Sequence, residues 1–254
     1  MTPGAAPAGY ERLAAGDAVA VARADAAAAL GAVLARGTLY DWAAAHPARR
    51  ELAGRAPAYA VPLGDTLRVV VRHSRHGGLL APLTGDRFLA PTRAPHELRT
   101  ALRLREAGVP TPDVVATVVY AAGPLLRTAD VATEEVADAR DLSAALAAPD
   151  AATRDRAVEA TVALLRRLDA AGARHPDLNL KNVLVAVDAA GEVTAQVIDV
   201  DRMRFAAPGD PAARAANVRR LARSLAKWRG RLAPGAADAA VARLASALGV
   251  AVAA

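Results

Sequence analysis

The chain has 254 residues, of which 54% are hydrophobic and only 3% aromatic, so we expect one domain or two small lobes with an aliphatic core. The 32 basic and 26 acidic residues leave a net charge of +6, which fits an anionic partner and equally an arginine-rich composition. The sequence has no cysteine, which excludes disulfides and thiolate chemistry. It shows no signal peptide and no apolar run that could span a membrane, so we expect a cytoplasmic protein.

The first third of the chain predicts strands around one helical stretch. Residues 1–10 are rich in Pro, Gly and Ala and are predicted to be irregular. Short strands are predicted from Tyr10 to about Val21, and the alanine-rich residues 23–45 read as one helix. Residues 54–73 predict a hairpin that ends in a strong strand over Leu67–Arg72.

The rest of the chain changes from strands to helices near residues 136–150. This change predicts an α+β protein with a β-rich N-terminal lobe, residues 1–135, and a mostly helical C-terminal lobe, residues 136–254. The predicted elements after the hairpin are a helix over Pro95–Arg105, strands over 113–120 and 125–136, a helix from Asp150 or Thr153 to Ala171, two strands within 183–201, and a helical tail from Asp210.

The strongest motif is the segment that begins His175-Pro-Asp177 and reaches Asn182, followed by a hairpin that ends at Asp199. Phosphoryl transfer needs an acidic group at the acceptor hydroxyl and ligands for metal ions that bridge the phosphates. The protein-kinase signature has the same H-x-D-x-x-x-x-N spacing with a later metal-binding aspartate. We therefore interpret Asp177 as the base or the orienter of the acceptor hydroxyl, Asn182 and Asp199 as metal ligands, and His175 as a brace for the loop. Asp201 could add a second carboxylate.

A second element supports the same chemistry. Arg72 ends the strand Val69-Val-Val-Arg72, where protein kinases carry a lysine that pairs with phosphates and with a glutamate on the next helix. A guanidinium can do both jobs bidentately. Glu97, near the start of the following helix, is the candidate partner, although a first-turn glutamate is also favoured by the helix dipole.

Weaker candidates surround these residues. Gly54 opens a turn where a phosphate-covering loop is expected, and Lys181 inside the catalytic loop faces either the phosphate or solvent. The basic, glycine-bearing segment 72–78 could hold an anionic group of an acceptor. A basic helical tail could meet an anionic membrane surface or form a solvated face, which we slightly favour; it comprises Arg219, Arg220, Arg223, Lys227, Arg229 and Arg231.

Taken together, these segments resemble the lipopolysaccharide kinase family, in particular its 3-deoxy-D-manno-octulosonic acid (Kdo) kinase branch. The resemblance covers roughly Gly54 to Trp228 and includes "VVVRH", "LREAGVPTPDVVA" and "HPDLNLKNVLV". It implies a compact, two-lobed, protein-kinase-like fold that transfers the γ-phosphate of ATP to a sugar hydroxyl of the lipopolysaccharide inner core, at the cytoplasmic face of the inner membrane. The implied cofactors are ATP and Mg²⁺.

The resemblance also implies individual roles. Asp177 is the implied catalytic aspartate, Asn182 and Asp199 the magnesium ligands, and Arg72 the phosphate-contacting base with Glu97 as its partner. The segment Ala129 to Glu135, which includes Glu134, is the implied hinge that receives the adenine through backbone groups.

Two other readings stay open. A small-molecule kinase of the aminoglycoside or choline type shares the motif, but the basic segment 72–76 argues against a cationic acceptor. A catalytically silent scaffold is favoured by Arg72 and the single glycine, and is opposed by retention of Asp177, Asn182 and Asp199. Nucleic-acid binding is not expected, because few aromatic side chains are present to stack on bases.

Overall fold

The computed structural model describes residues 5–52, 57–74, 88–89, 92, 94–188 and 190–252. The chain divides into two compact units. Unit 1 contains Met1–Arg99 and Asp113–Glu135, and unit 2 contains Thr100–Pro112 and Val136–Ala254. Residues 100–112 thus group with the C-terminal unit, although they precede the boundary that the sequence suggests.

Unit 1 is built on one antiparallel sheet. Its strands are β1 (Tyr10–Ala15), β2 (Ala18–Arg23), β3 (Arg50–Leu52), β4 (Ala58–Leu63), β5 (Leu67–His73), β6 (Phe88–Leu89), β7 (Val114–Ala121) and β8 (Leu126–Glu134). Along the sheet the strands follow the order β1-β2-β7-β8-β5-β4-β3, and β6 pairs with one end of β8. The central strand β8 therefore has β7 on one side and β5 on the other.

The predicted helix over residues 23–45 is two helices, α1 (Ala27–Leu34) and α2 (Leu39–Ala45). The break falls at Gly37, whose φ of 155° suits a residue without a side chain, and at Thr38, whose side chain accepts a hydrogen bond from the Asp41 N–H. Leu30 and Leu39 are fully buried against the alanine and valine residues of the sheet. The core is aliphatic, as the composition predicts.

The predicted hairpin and the predicted helix that follows it are both present. Strands β4 and β5 pair antiparallel with Val61 opposite Val69, which buries alternate valines on one face. Helix α3 (Ala94–Glu106) exceeds its predicted bounds by one residue at each end. It begins in unit 1 and continues in unit 2, because the division between the units falls after Arg99.

Unit 2 is mostly helical, with two small sheets. The helices are α4 (Leu142–Leu146), α5 (Ala151–Ala170), α6 (Pro211–Trp228) and α7 (Ala236–Leu248). The strands are β9 (Arg140–Asp141), β10 (Ala173–Arg174), β11 (Val183–Val187), β12 (Val193–Val197) and β13 (Arg204–Phe205). One sheet has the order β12-β11-β9 and the other pairs β10 with β13.

The long helices of unit 2 begin where the sequence predicts. Asp150 caps α5 by accepting a hydrogen bond from the Thr153 N–H at 2.7 Å, and Asp210 caps α6 through the Ala213 N–H at 2.7 Å. The predicted α+β class, with an N-terminal antiparallel sheet and a mostly helical C-terminal part, is confirmed. Among the described helices, none combines the length and apolar character that a membrane crossing requires.

Candidate active site

The loop between β10 and β11 is fixed by a buried histidine. His175 is 2% exposed, and its Nδ1 accepts a hydrogen bond from the Asp177 N–H at 3.1 Å. Its Nε2 lies 3.0 Å from the carbonyl oxygen of Ile198. Because Nδ1 accepts a hydrogen bond, the ring carries its hydrogen on Nε2, which donates a hydrogen bond to the Ile198 carbonyl. His175 thus connects the residue before Asp199 to the backbone of Asp177 and braces the loop.

Helix α6 holds the same loop from its buried face. Asn217 accepts a hydrogen bond from the His175 N–H at 2.9 Å and donates one to the Ala173 carbonyl at 2.8 Å. Ser224, two turns later, accepts from the Leu180 N–H at 3.2 Å. The sequence motif did not reveal these contacts. The detectable signal is that two polar residues stand on the otherwise apolar face of an amphipathic helix.

Asn182 is oriented by a hydrogen bond to the backbone of Asp177. Its Nδ2 donates to the Asp177 carbonyl at 2.9 Å, so its Oδ1 is the oxygen that can serve a metal ion. The Asn182 carbonyl accepts from the Ile198 N–H at 3.1 Å, which ties the end of the loop to the residue before Asp199. Asp177 and Asn182 are thus linked directly, and both are linked to Ile198, the neighbour of Asp199, through the His175 ring and the Asn182 carbonyl.

Asp199 has an unusual backbone conformation. Its φ of 62° and ψ of 48° lie in the left-handed region, which disfavours side chains with a Cβ. Asp138 is the other non-glycine residue with positive φ in the part of the chain that the structure describes. Such strain persists where the surrounding structure imposes it and is common at functional sites.

The donor set of Asn182 and Asp199 fits magnesium. Mg²⁺ is usually held by one or two protein oxygens together with substrate phosphates and waters, rather than by a full protein cage. Within the described residues, no group of three or more His, Cys, Asp or Glu could hold a metal ion, so a closed protein site is not present there. An amide oxygen and a carboxylate are the ligands expected of an open site of this kind.

Asp177 forms an ion pair that the sequence did not predict. Its Oδ1 contacts Nη2 of Arg220 on α6, and about one third of each side chain is exposed. Arg220 lies between Asn217 and Ser224 on the helix, so three side chains of α6 contact the catalytic loop. The interpretation of the basic tail as a solvated or membrane-facing surface is therefore wrong for Arg220, because its guanidinium binds the catalytic loop.

Lys181 contacts an acidic residue of unit 2. Its Nζ lies 2.9 Å from Oδ2 of Asp141 and 5.1 Å from the ring centre of Trp228. Burial alone would raise the pKa of Asp141, but hydrogen bonds from Ser143, Lys181 and the Ala144 N–H outweigh it and lower that pKa below its ordinary value of 3.8. The expected contact of Lys181 with a phosphate stays a prediction. To make that contact, Lys181 would have to give up its ion pair with Asp141.

In unit 1 the structure brings Arg72 and Glu97 together. Nη2 of Arg72 binds Oε1 of Glu97, and the Glu97 side chain is 5% exposed. A carboxylate this deeply buried needs a charged partner. The alternative reading of Glu97, an ordinary first-turn residue favoured by the helix dipole, does not account for the burial.

The segment 129–135 is not a free connection. Residues Ala129 to Thr133 lie inside β8, where β7 pairs on one side and β5 pairs with Asp130 to Thr133 on the other. The N–H groups of Glu134 and Glu135 donate to the Asp113 and Arg68 carbonyls, and the Glu134 carboxylate binds Arg23 at 2.7 Å. The predicted hinge is therefore wrong in extent, because the sheet uses most of its backbone groups. Gly54 and residues 75–78 lie outside the described residues.

The family model of the lipopolysaccharide kinase (Kdo/WaaP) family matches residues 42–247 of the chain. The chain belongs to this family. It is therefore a kinase, a phosphotransferase with an alcohol group as acceptor. The match includes both the Arg72–Glu97 pair and the loop from His175 to Asp199.

Curated relatives agree with the family model. The chain is 31% identical over 193 residues to a 3-deoxy-D-manno-octulosonic acid kinase of Vibrio parahaemolyticus, covering 73% of this chain and 76% of the relative. It is 34% identical over 184 residues to the kinase of the same name from Stenotrophomonas maltophilia strain K279a, covering 70% and 69%. Among solved structures, it is similar to WaaP in complex with acyl carrier protein, with a TM-score of 0.48 and 21% identity over 69% of this chain and 70% of that one.

Proposed function

We propose that this kinase transfers the γ-phosphate of ATP, with Mg²⁺, to a sugar hydroxyl of the lipopolysaccharide inner core, on Kdo or a similar sugar acid. The observation that carries the proposal is the arrangement of Asp177, Asn182 and Asp199 around one braced loop. The relatives named as Kdo kinases supply the acceptor class. A silent scaffold would not require a strained aspartate at position 199.

In this proposal Asp177 acts on the acceptor. Its carboxylate accepts a hydrogen bond from the sugar hydroxyl and takes the proton as the oxygen attacks the γ-phosphorus, whose bond to the β,γ-bridging oxygen breaks to release ADP. Arg220 and the His175 brace hold the carboxylate and its backbone in place. Because the loop is fixed before the substrate binds, little reorganisation is needed during the reaction.

The remaining residues act on the nucleotide. Asn182 and Asp199 would hold Mg²⁺, which neutralises charge on the phosphates when bound. Arg72, oriented by the buried carboxylate of Glu97, donates hydrogen bonds to phosphate oxygens. Residues after Glu134, rather than strand β8 itself, supply backbone groups to the adenine.

The acceptor class also determines where the reaction takes place. A lipopolysaccharide precursor is anchored in a bilayer, so we propose that the kinase contacts the membrane surface peripherally while it works. The exposed cations at the end of α6 and after it, Lys227, Arg229 and Arg231, are suited to an anionic surface.

The proposal is tested by following γ-labelled phosphate from ATP and Mg²⁺ to a set of acceptors. The set contains a Kdo-bearing lipid A precursor, free Kdo, an aminoglycoside and a generic protein. We expect label on the Kdo-bearing acceptors and none on the aminoglycoside or the protein. Label on the aminoglycoside instead would favour the small-molecule kinase reading.

A metal control accompanies the assay. Asp199→Ala should abolish Mg²⁺-dependent ATP binding, whereas Asp155→Ala, an exposed aspartate on α5, should leave it unchanged. Equal Mg²⁺-dependent binding in both variants would contradict the role of Asp199. No transfer and no ATP binding by the unmodified protein would favour the silent scaffold.

A further inference from the structure

A cavity lies beside the catalytic loop in unit 2. Its volume is about 240 Å³, which is below the usual range of pockets for drug-sized ligands, so it suits one charged group or a single sugar ring. Part of its wall is the loop itself and part is one face of α6. The lining residues are Arg174, His175, Pro176, Ala216, Arg219, Arg220 and Arg223.

The wall of this cavity is strongly basic. It contains four arginines and no carboxylate, since the remaining lining residues are histidine, proline and alanine. On α6 the spacing from Ala216 to Arg219, Arg220 and Arg223 places these residues on one helix face, and the small Ala216 leaves room between the long side chains. Guanidinium groups gathered in this way repel one another until an anion binds, and their planar forks match carboxylate and phosphate oxygens.

The cavity is connected directly to the catalytic carboxylate. Arg220 lines the cavity and also contacts Oδ1 of Asp177. The acceptor hydroxyl must lie at the same Asp177 carboxylate when it is phosphorylated. An anion held by the arginines would therefore neighbour the reacting hydroxyl. Asn182 and Asp199, which are assigned to the metal ion, are not among the residues that line this cavity.

We propose that the arginine-lined cavity binds the anionic group of the acceptor, a sugar carboxylate or a phosphate monoester, and so selects acidic sugars and positions their hydroxyl at Asp177. The proposal rests on the proposed kinase function and adds the recognition site for the acceptor. It assigns Arg174, Arg219 and Arg223 to substrate binding, while Arg220 links the bound anion to the catalytic loop.

Acceptor kinetics test this assignment. The variants Arg174→Gln, Arg219→Gln and Arg223→Gln should each raise the acceptor KM by roughly tenfold, the usual effect of losing a charge-assisted hydrogen bond. The kcat and the KM for ATP should stay within about twofold of the values of the unmodified protein. The lost contact binds the acceptor equally in the ground state and in the transition state, so its loss weakens acceptor binding without slowing the bound complex. Arg166→Gln, an exposed arginine on α5, is the matched control. Unchanged acceptor KM in all three variants would overturn the proposal.

Modified acceptors identify which anion is recognised. A carboxyl-reduced Kdo acceptor and a dephosphorylated lipid A precursor are compared with the unmodified glycolipid. If the carboxylate is the recognised group, reduction raises the KM of the unmodified protein but not that of Arg219→Gln/Arg223→Gln. If a phosphate is recognised, dephosphorylation has that effect. Full activity on both modified acceptors would contradict recognition of an anion.

A binding measurement separates this proposal from the kinase function itself. Free Kdo and inorganic phosphate are titrated against the full chain while its melting temperature is followed. At least one of them should stabilise the unmodified protein and Arg166→Gln, but not Arg219→Gln/Arg223→Gln. Stabilisation without phosphate transfer would contradict the kinase function and keep the anion site. Transfer with equal or absent stabilisation in all three proteins would contradict the anion site alone.

Discussion

Two arginine–carboxylate pairs, one in each unit, differ in how firmly the fold holds them. The Glu97 side chain in unit 1 is 5% exposed, whereas that of Asp177 in unit 2 is 33% exposed. A buried carboxylate that loses its charged partner remains unsolvated, which destabilises the fold. A partly exposed carboxylate that loses its partner is solvated by water instead, so the loss of stability is small. The Arg72–Glu97 pair is therefore a firmly fixed brace, and the Arg220–Asp177 pair is held less firmly.

Of the two pairs, the Arg72–Glu97 brace is expected to give the larger effect when it is broken. Arg72→Gln should lower kcat/KM for ATP by roughly 100-fold, the typical cost of losing one preorganised donor at a developing charge. It should also lower the melting temperature, because Glu97 loses a charged partner. Steady-state kinetics with ATP varied give the first quantity and thermal unfolding the second. The exposed Arg99, on the same helix as Glu97, supplies the control Arg99→Gln; a loss below threefold would remove Arg72 from the phosphate site.

A smaller effect is expected from breaking the Arg220–Asp177 pair. Arg220→Gln should lower kcat by about tenfold, because the hydrogen bond that orients Asp177 is charge-assisted. The KM for ATP should not change, and the melting temperature should fall little, since both groups are partly exposed. Arg166→Gln, which removes an exposed charge from α5, is the control. An Arg220→Gln variant with normal kcat would show that the pair does not position the carboxylate.

The strained backbone at position 199 predicts a third difference. Glycine adopts the left-handed conformation without a Cβ clash, whereas alanine retains the clash. Asp199→Gly should therefore be more stable than Asp199→Ala by about 1 kcal/mol in urea unfolding, while both lose Mg²⁺-dependent transfer. Equal stability of the two variants would mean that the positive φ is not maintained in solution.

The smallest effect concerns Asp141, whose pKa is lowered in the folded protein. A carboxyl group with a depressed folded pKa adds stability above its unfolded pKa, here 3.8, and loses it as the pH falls through the folded value. Asp141→Asn should thus be less stable than the unmodified protein near pH 7, and the difference should shrink as the pH falls below 3.8 and through the folded pKa. Melting temperatures across this range, with Asp155→Asn as control, would reveal a constant difference if the pKa were not lowered.

The loop from His175 to Asn182 could be predicted because its motif residues are close together in the sequence. The spacing from His175 to Asn182 lies within one loop, and Asp199 follows it after a single hairpin, so the motif specifies their proximity without knowledge of the fold. Arg72 and Glu97 were predicted by analogy with a known strand–helix arrangement. Their contact is now observed, and their catalytic roles stay predictions.

The contributions of α6 could not be predicted in the same way. Asn217, Arg220 and Ser224 follow the loop by some 40 residues, and only the tertiary fold brings them to it. The helix boundary at Gly37 was missed because alanine favours helix on both sides and conceals the break. The hinge predicted over residues 129–135 was misplaced because a strand pattern in the sequence does not show which strand lies in the middle of the sheet. A strand in that position has its backbone groups paired on both sides. These differences arise from tertiary pairing, which local patterns do not encode.

The most direct test of the account is the single-turnover rate of phosphate transfer from ATP to a Kdo-bearing lipid A precursor by Asp177→Asn. The amide keeps the shape of the side chain but cannot accept the hydroxyl proton. We predict a rate reduced by roughly 10²- to 10⁴-fold, as for loss of a general base, with ATP binding and melting temperature close to those of the unmodified protein. A rate within threefold of the unmodified protein would contradict the assignment of Asp177 and, with it, the proposed mechanism.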